Sequence, residues 1–209
     1  MSIYRLIFSK TGSICLVGHL DFVQSFRRAI KRAKLPVAYS AGFNPHMEFA
    51  VSQPLPLAME GYNEFAEMSL YQEIPPEEVA TRLNNCVCDG VFIKSVCKLE
   101  KNEKSAAAHI CRAVYTANIT SETADEILKS SQEILGSTEI KIMKKTKSGE
   151  KLTDIRPDIF RITVKDMQLV AEISSGSKAN LNPAVLAEVL SCGKNLKFNR
   201  EKLILDYDL

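Results

Sequence analysis

The chain has 209 residues, 45% of them hydrophobic and 25% charged, with a formal net charge of +2. These are the proportions of an ordinary soluble globular protein, long enough for one large domain or two small ones, each with its own core. So small a net charge excludes any case for nucleic acid from the total and leaves only local clustering.

The first residues, Ile3 to Phe8, read as a strand, with Lys10-Thr11-Gly12 as its turn and Ile14-Cys15-Leu16-Val17 as a short apolar continuation. No basic leader opens the chain, and no apolar run approaches the ~20 residues that span a bilayer, so a cytoplasmic protein with no membrane partner is expected. From His19 to Lys34 the period becomes helical, with Phe22, Val23, Phe26, Ala29, Ile30 and Ala33 on one face. Arg27, Arg28, Lys31, Arg32 and Lys34 fall on a neighbouring arc of roughly 160°. Leu35-Pro36 stops the helix.

A strand at Val37-Ala38-Tyr39 leads into the polar loop Ser40-Ala41-Gly42-Phe43-Asn44-Pro45-His46, and Phe49-Ala50-Val51 follows. Gln53 to Leu57 is too proline-rich for a central strand and reads as a connector. Asn63 to Tyr71 alternates as a strand. Pro75 to Leu83 begins as a helix with Pro and two glutamates in its first turn, and Val91 to Val96 is another strand. The order β, α, β, β, α, β is that of a ferredoxin-like domain.

Lys98 to Ser105 is charged and reads as a linker. Beyond it the order recurs: a strand over Cys111–Ile119 and a helix over Ser121–Leu135 opened by Ser121 or Thr123. Then come Ile140 and Ile142 alternating with lysines, a hairpin of Ile159–Val164 and Leu169–Ile173 around Lys165-Asp166, a short helix from Asn182-Pro183 to Gly193, and a closing strand at Leu203-Ile204-Leu205. The expected fold is therefore α+β, with two ferredoxin-like domains and antiparallel sheets, at residues 1–99 and 106–209.

The cysteines, Cys15, Cys86, Cys88, Cys97, Cys111 and Cys192, are irregularly spaced. Cys86-Val87-Cys88 matches neither zinc-knuckle nor thioredoxin spacing, although in an extended segment both thiols would share a side. Reduced structural thiols are the favoured reading, and no run of three can hold an iron–sulfur cluster. No metal and no cofactor is expected.

Four features carry chemistry. The basic helix face can neutralise successive phosphates, or be a solvated surface and no more. In the loop, Phe43 can stack on a base, Asn44 can read a base edge, and His46 can donate to a phosphate or act as an acid–base group. A plain turn explains Gly42, Asn44 and Pro45 but not Tyr39, Ser40 and His46. Gly18-His19-Leu20-Asp21 places Asp21 where the helix dipole favours it; a metal site of His19, Asp21 and His46 is the weaker alternative. Finally, Lys141 to Lys147 alternates as a basic strand that either tracks a phosphate backbone or guards a sheet edge. Asp154 and Arg156 after it either pair elsewhere or form a polar anchor. No phosphate loop, dinucleotide turn, nucleophile elbow or zinc-protease helix is present, which lowers the enzyme reading.

The HLD segment at His19-Leu20-Asp21, the basic helix, the run Leu35 to His46 and the later Asp154-Ile155-Arg156-Pro157 together resemble the bacterial radical SAM-linked protein family. It is a domain of unknown function found alone or attached to radical S-adenosylmethionine proteins. Two positions depart from it: Gly18 stands where the family has serine, and Met47-Glu48 where it has proline and lysine. The resemblance implies a radical SAM protein as partner and supplies no activity. Joined to the charge placement, it leads to an accessory module binding tRNA or ribosomal RNA through Arg27, Arg28, Lys31, Arg32, Tyr39, Phe43, Asn44, His46, Lys145, Lys147 and Arg156. The alternatives are an RNA-modifying enzyme using Asp21 or His46, and a protein–protein adaptor for the radical enzyme.

Overall fold

Strand alternation sends Tyr4, Leu6, Phe8 and Lys10 to one side of the first strand. In the computed structural model all four are buried, on β1 (Ser2–Lys10). The structure describes residues 1–100, 103–146, 149–190 and 196–209. These divide into two compact units, Met1–His109 and Ile110–Leu209, each mixed α+β with antiparallel strands.

Unit 1 runs β1, α1 (His19–Arg32), β2 (Phe49–Val51), β3 (Gly61–Leu70), α2 (Pro76–Asn84), β4 (Val91–Lys98) and a short α3 (Ala106–His109). Its strands lie in the order β4-β1-β3-β2, every pair antiparallel. The apolar stripe of α1 buries Phe22, Phe26, Ala29 and Ile30. Phe8 lies 5.9 Å from Phe22 and 5.6 Å from Phe26, and Phe26 stacks on Phe49 at 4.8 Å. Aromatic pairs of this kind add about 0.5–1.5 kcal/mol each beyond their buried area. Val79 and Leu83 bring α2 into the same core.

Three details differ from expectation, and the conditional reading of Cys86–Cys88 is decided. Ile14 to Leu16 belongs to a 3-10 turn (Gly12–Leu16), not a strand. Val37 to Tyr39 makes only isolated bridges, to Leu70 and Met47. Cys86 and Val87 donate their N–H groups to the Leu83 carbonyl in the turn that ends α2, so the pair of thiols is not on an extended segment. Lys98 to Ser105 is more than a linker. Strand β4 runs through Lys98, Leu99 donates to the Ile3 carbonyl, and Glu103 and Lys104 hold Arg5. The reason is a buried arginine on the outer side of β1 that needs partners, which no local pattern in 98–105 announces.

Unit 2 runs β5 (Ile110–Asn118), α4 (Ser121–Gly136), β6 (Lys141–Thr146), β7 (Gly149–Asp154), β8 (Ile159–Lys165), β9 (Gln168–Ser174), α5 (Pro183–Val189) and β10 (Phe198–Leu205). Strands β6 and β7 pair with each other alone; the rest lie in the antiparallel order β10-β5-β9-β8. With that ribbon set aside, element order and strand order repeat those of unit 1. The cap of α4 is Thr120, where Ser121 or Thr123 was expected: Thr120 and Thr123 exchange side-chain and backbone hydrogen bonds as a capping box. Asn182 caps α5 through the Ala184 N–H at 3.0 Å. The expected end at Gly193, and Cys192, lie outside the described residues.

The β8–β9 hairpin turns on Asp166 and Met167, one residue later than the sequence suggests, with φ of 51° and 58°. Two left-handed residues make the turn whose twist suits a hairpin, and glycine is the residue that adopts the second position without a Cβ penalty. Met167→Gly is therefore expected to raise stability by about 1 kcal/mol, read as a higher urea midpoint with an unchanged slope.

Candidate functional site

One edge of β3 is covered by two pieces of an interrupted strand. Val37 bridges Leu70 and the Ala38 N–H donates to the Ser69 carbonyl; β2 resumes on the same edge with Phe49 opposite Met68. Between them Tyr39 to Met47 leaves the sheet as a lobe. Its neck is closed by the Tyr39–Met47 bridge, by Ser40 N–H to the His46 carbonyl at 2.8 Å, and by His46 N–H to Ser40 Oγ at 2.9 Å. Below the neck Glu48 N–H donates to the Ala38 carbonyl at 2.9 Å. Gly42 turns the tip with φ of 127°, a left-handed conformation that side chains other than hydrogen resist.

This geometry divides the lobe by role. Tyr39 is half-buried against the core, with its N–H donated to Tyr71 Oη at 3.3 Å, and Ser40 closes the neck, so both build the loop. Phe43, Asn44, Pro45 and His46 are exposed, Phe43 fully so at 106% relative exposure. The five helix cations divide as well. Arg28, Lys31 and Lys34 are exposed, and their side chains make no hydrogen bond or ion pair among the described residues. Arg32 donates to the Cys86 carbonyl and holds the turn after α2. Arg27 is half-buried, its Nε buried without a hydrogen-bond partner. The outward cationic set is thus smaller than the helical wheel suggests.

His19 and His46 serve different places. His19, at the start of α1, lines a cleft with Phe8, Lys10, Phe22, Val51, Gln53, Leu55 and Glu64. Burial, and then the Lys10 charge, keep its imidazole below the ordinary histidine range. Lys10 is itself 3% exposed; its Nζ donates to the Val17 carbonyl at 3.1 Å and sits 4.6 Å from the Phe22 ring centre, and burial lowers its pKa. This buried cation went unread in the sequence, although the alternation Tyr4, Leu6, Phe8, Lys10 points it inward. Asp21 is exposed in the first turn of α1, and no cluster of three metal-binding side chains occurs among the described residues.

In unit 2, Arg156 is an anchor. Its Nε, Nη1 and Nη2 donate to the carbonyls of Ser137, Ile159 and Leu135 at 3.0, 2.7 and 2.9 Å, which withdraws the guanidinium from the expected nucleic-acid surface. Asp154 Oδ1 accepts from the N–H groups of Ile140 at 2.8 Å and Arg156 at 3.0 Å, and those bonds hold its carboxyl below the usual range. Lys145 lies on β6 opposite Glu150, and Lys147 lies outside the described residues.

A family model described as "Uncharacterized protein conserved in bacteria (DUF2344)" matches residues 4–183. No curated protein matches the chain. Among solved structures it is similar to an unknown protein from Galdieria sulphuraria, at 10% identity over 98% of this chain and 99% of that one, with a TM-score of 0.32. No helix among the described residues is long and apolar enough to cross a membrane.

Proposed function

The chain belongs to that uncharacterized bacterial family, and from this premise we propose that it is a non-catalytic RNA-binding module that presents tRNA or ribosomal RNA to a radical SAM protein. The radical SAM partner comes from the sequence resemblance. The RNA comes from the site. We read each unit as ferredoxin-like, supported by the repeated strand orders β4-β1-β3-β2 and β10-β5-β9-β8.

The observation that carries the reading is Phe43. Leaving a phenylalanine in water forgoes roughly 1.5–3 kcal/mol of burial, yet here it is held out by a lobe whose neck is hydrogen-bonded shut. A rigid exposed ring beside an amide and an imidazole, Asn44 and His46, suits stacking of a base with contacts to its edge. Arg28, Lys31 and Lys34 supply the sequence-independent attraction to phosphates.

Fluorescence anisotropy with a labelled single-stranded RNA over a range of salt concentrations tests this. Phe43→Ala is expected to weaken binding about fivefold or more, fivefold being the low end of what one stacked base contributes, with its salt dependence unchanged. Arg28→Gln with Lys31→Gln is expected to reduce the slope of log K against log salt by about 1.4, from ~0.7 per phosphate contact on a single strand. Wild-type protein that binds no RNA, or binding indifferent to salt, rejects the proposal. Capture of the radical enzyme that survives nuclease treatment and is lost in Phe43→Ala would favour the adaptor instead. Conversion of an RNA substrate that is lost in Asp21→Asn or His46→Ala with binding kept would favour the enzyme reading instead.

A further inference from the structure

The β6–β7 ribbon occupies in unit 2 the place that the lobe occupies in unit 1. In both units the excursion follows the first helix and precedes the second strand of the sheet: α1, lobe, β2 and α4, ribbon, β8. We propose that the ribbon is a second RNA contact, with Lys144 and Lys151 together binding a backbone phosphate. This rests on the reading of the chain as an RNA-binding module and extends it to the other unit.

Three observations support it. First, the ribbon is braced. Ile155 N–H donates to the Ile140 carbonyl, Asp154 accepts from Ile140 and Arg156, and Arg156 ties the base to the last turn of α4 and to Ile159. A two-stranded ribbon alone is marginal in water, so the arm depends on this root. Second, Lys144 lies directly opposite Lys151. Cross-strand Cβ atoms are about 4.5–5.5 Å apart, and like charges so placed repel. Both lysines are exposed, and neither side chain has a hydrogen bond or ion pair among the described residues. By contrast Lys141, nearer the root, is paired with Glu139 at 2.8 Å. Third, toward the root the neighbouring pair on the same face is Ile142 and Thr153 and toward the tip it is Thr146 and Gly149, so among the described residues the register puts no carboxylate beside the two lysines on that face. A phosphate between the two ammonium groups converts their repulsion into two charge-assisted contacts.

Lysines also keep sheet edges from pairing with other chains. That role asks for charge along the ribbon, and arginine or glutamate would serve it; it does not ask for two like charges face to face.

The test uses the full chain, with a labelled RNA stem-loop and a labelled uridine-rich single strand as probes. Lys144→Gln with Lys151→Gln is expected to make the log K against log salt slope shallower by about 0.7–0.9, the loss of one phosphate contact at ~0.7 on a single strand or ~0.9 on a duplex. Which probe shows the change identifies the source of the phosphate, and Lys144→Arg with Lys151→Arg should keep the slope. A thermal melt no lower than that of wild type shows that the arm's root is intact. If Phe43→Ala weakens binding but the double glutamine variant leaves both slopes unchanged, the ribbon proposal fails and the lobe reading stands. A variant that only aggregates, its soluble fraction binding with the wild-type slope, also overturns it in favour of edge protection. If the wild-type chain binds neither probe, both proposals fail together.

Discussion

Arg156→Ala is expected to lower the unfolding free energy by about 3 kcal/mol, and Arg156→Lys by nearly as much. The guanidinium donates to three carbonyls, of which Leu135 and Ser137 lie at the end of α4, where helical C=O groups lack intrahelical partners. Hydrogen bonds to a charged group contribute about 1.5–3 kcal/mol each. The sum is discounted because Arg156 is only half-buried and the three bonds act as one unit. Lysine keeps the charge but not the planar fork that reaches three acceptors at once. Urea denaturation gives the stability, and RNA titration of the folded variant separates anchor from ligand contact. An unchanged midpoint with a shallower salt slope would return Arg156 to the binding surface.

Arg5→Ala is expected to cost about 3–4 kcal/mol, since breaking a buried ion pair by removing one partner costs about 3–5. Arg5 is 6% exposed, its Nε 2.9 Å from Glu67 and its Nη1 3.0 Å from Glu103, while Nη2 donates to the Lys104 carbonyl at 3.0 Å. The partial exposure of Glu103 places the value at the lower end. Loss of Arg5 strands Glu67, which keeps only the Ala106 N–H at 2.8 Å among these contacts. The same variant should free residues 103–105, so limited proteolysis is expected to cut there faster than in wild type. Equal cleavage rates would show that Arg5 does not dock the segment.

Periodicity alone located most elements. Alternation in Ser2–Lys10 and the 3.6-residue stripe of α1 depend on short-range order, and so do Pro at the start of α2 and the Asn182 cap. Two differences trace to partners distant in sequence: Val37 pairs with Leu70 across more than thirty residues, and Glu103 and Lys104 hold Arg5. The others are local turns and caps, where a shift of one residue leaves the periodicity unchanged. The candidate site was half legible. Phe43, Asn44 and His46 stood out by type, whereas Ser40, which a plain turn left unexplained, has a hydroxyl that closes the neck.

The amino-acid sequence on its own settled which residues are crowded together: five cations on one helical stretch and a Gly-Phe-Asn-Pro-His loop after it. It also settled the α+β class, because helix and strand periods are written in neighbouring residues. Which of those side chains are already engaged by the protein was decided by the folded chain. Arg32 is taken by the Cys86 carbonyl and Arg156 by three carbonyls, while Arg28, Lys31, Phe43, Lys144 and Lys151 remain exposed. The physical reason is that a cation is claimed by whichever unsatisfied carbonyl or carboxylate packing brings within about 3 Å, and that meeting depends on contacts far apart along the chain.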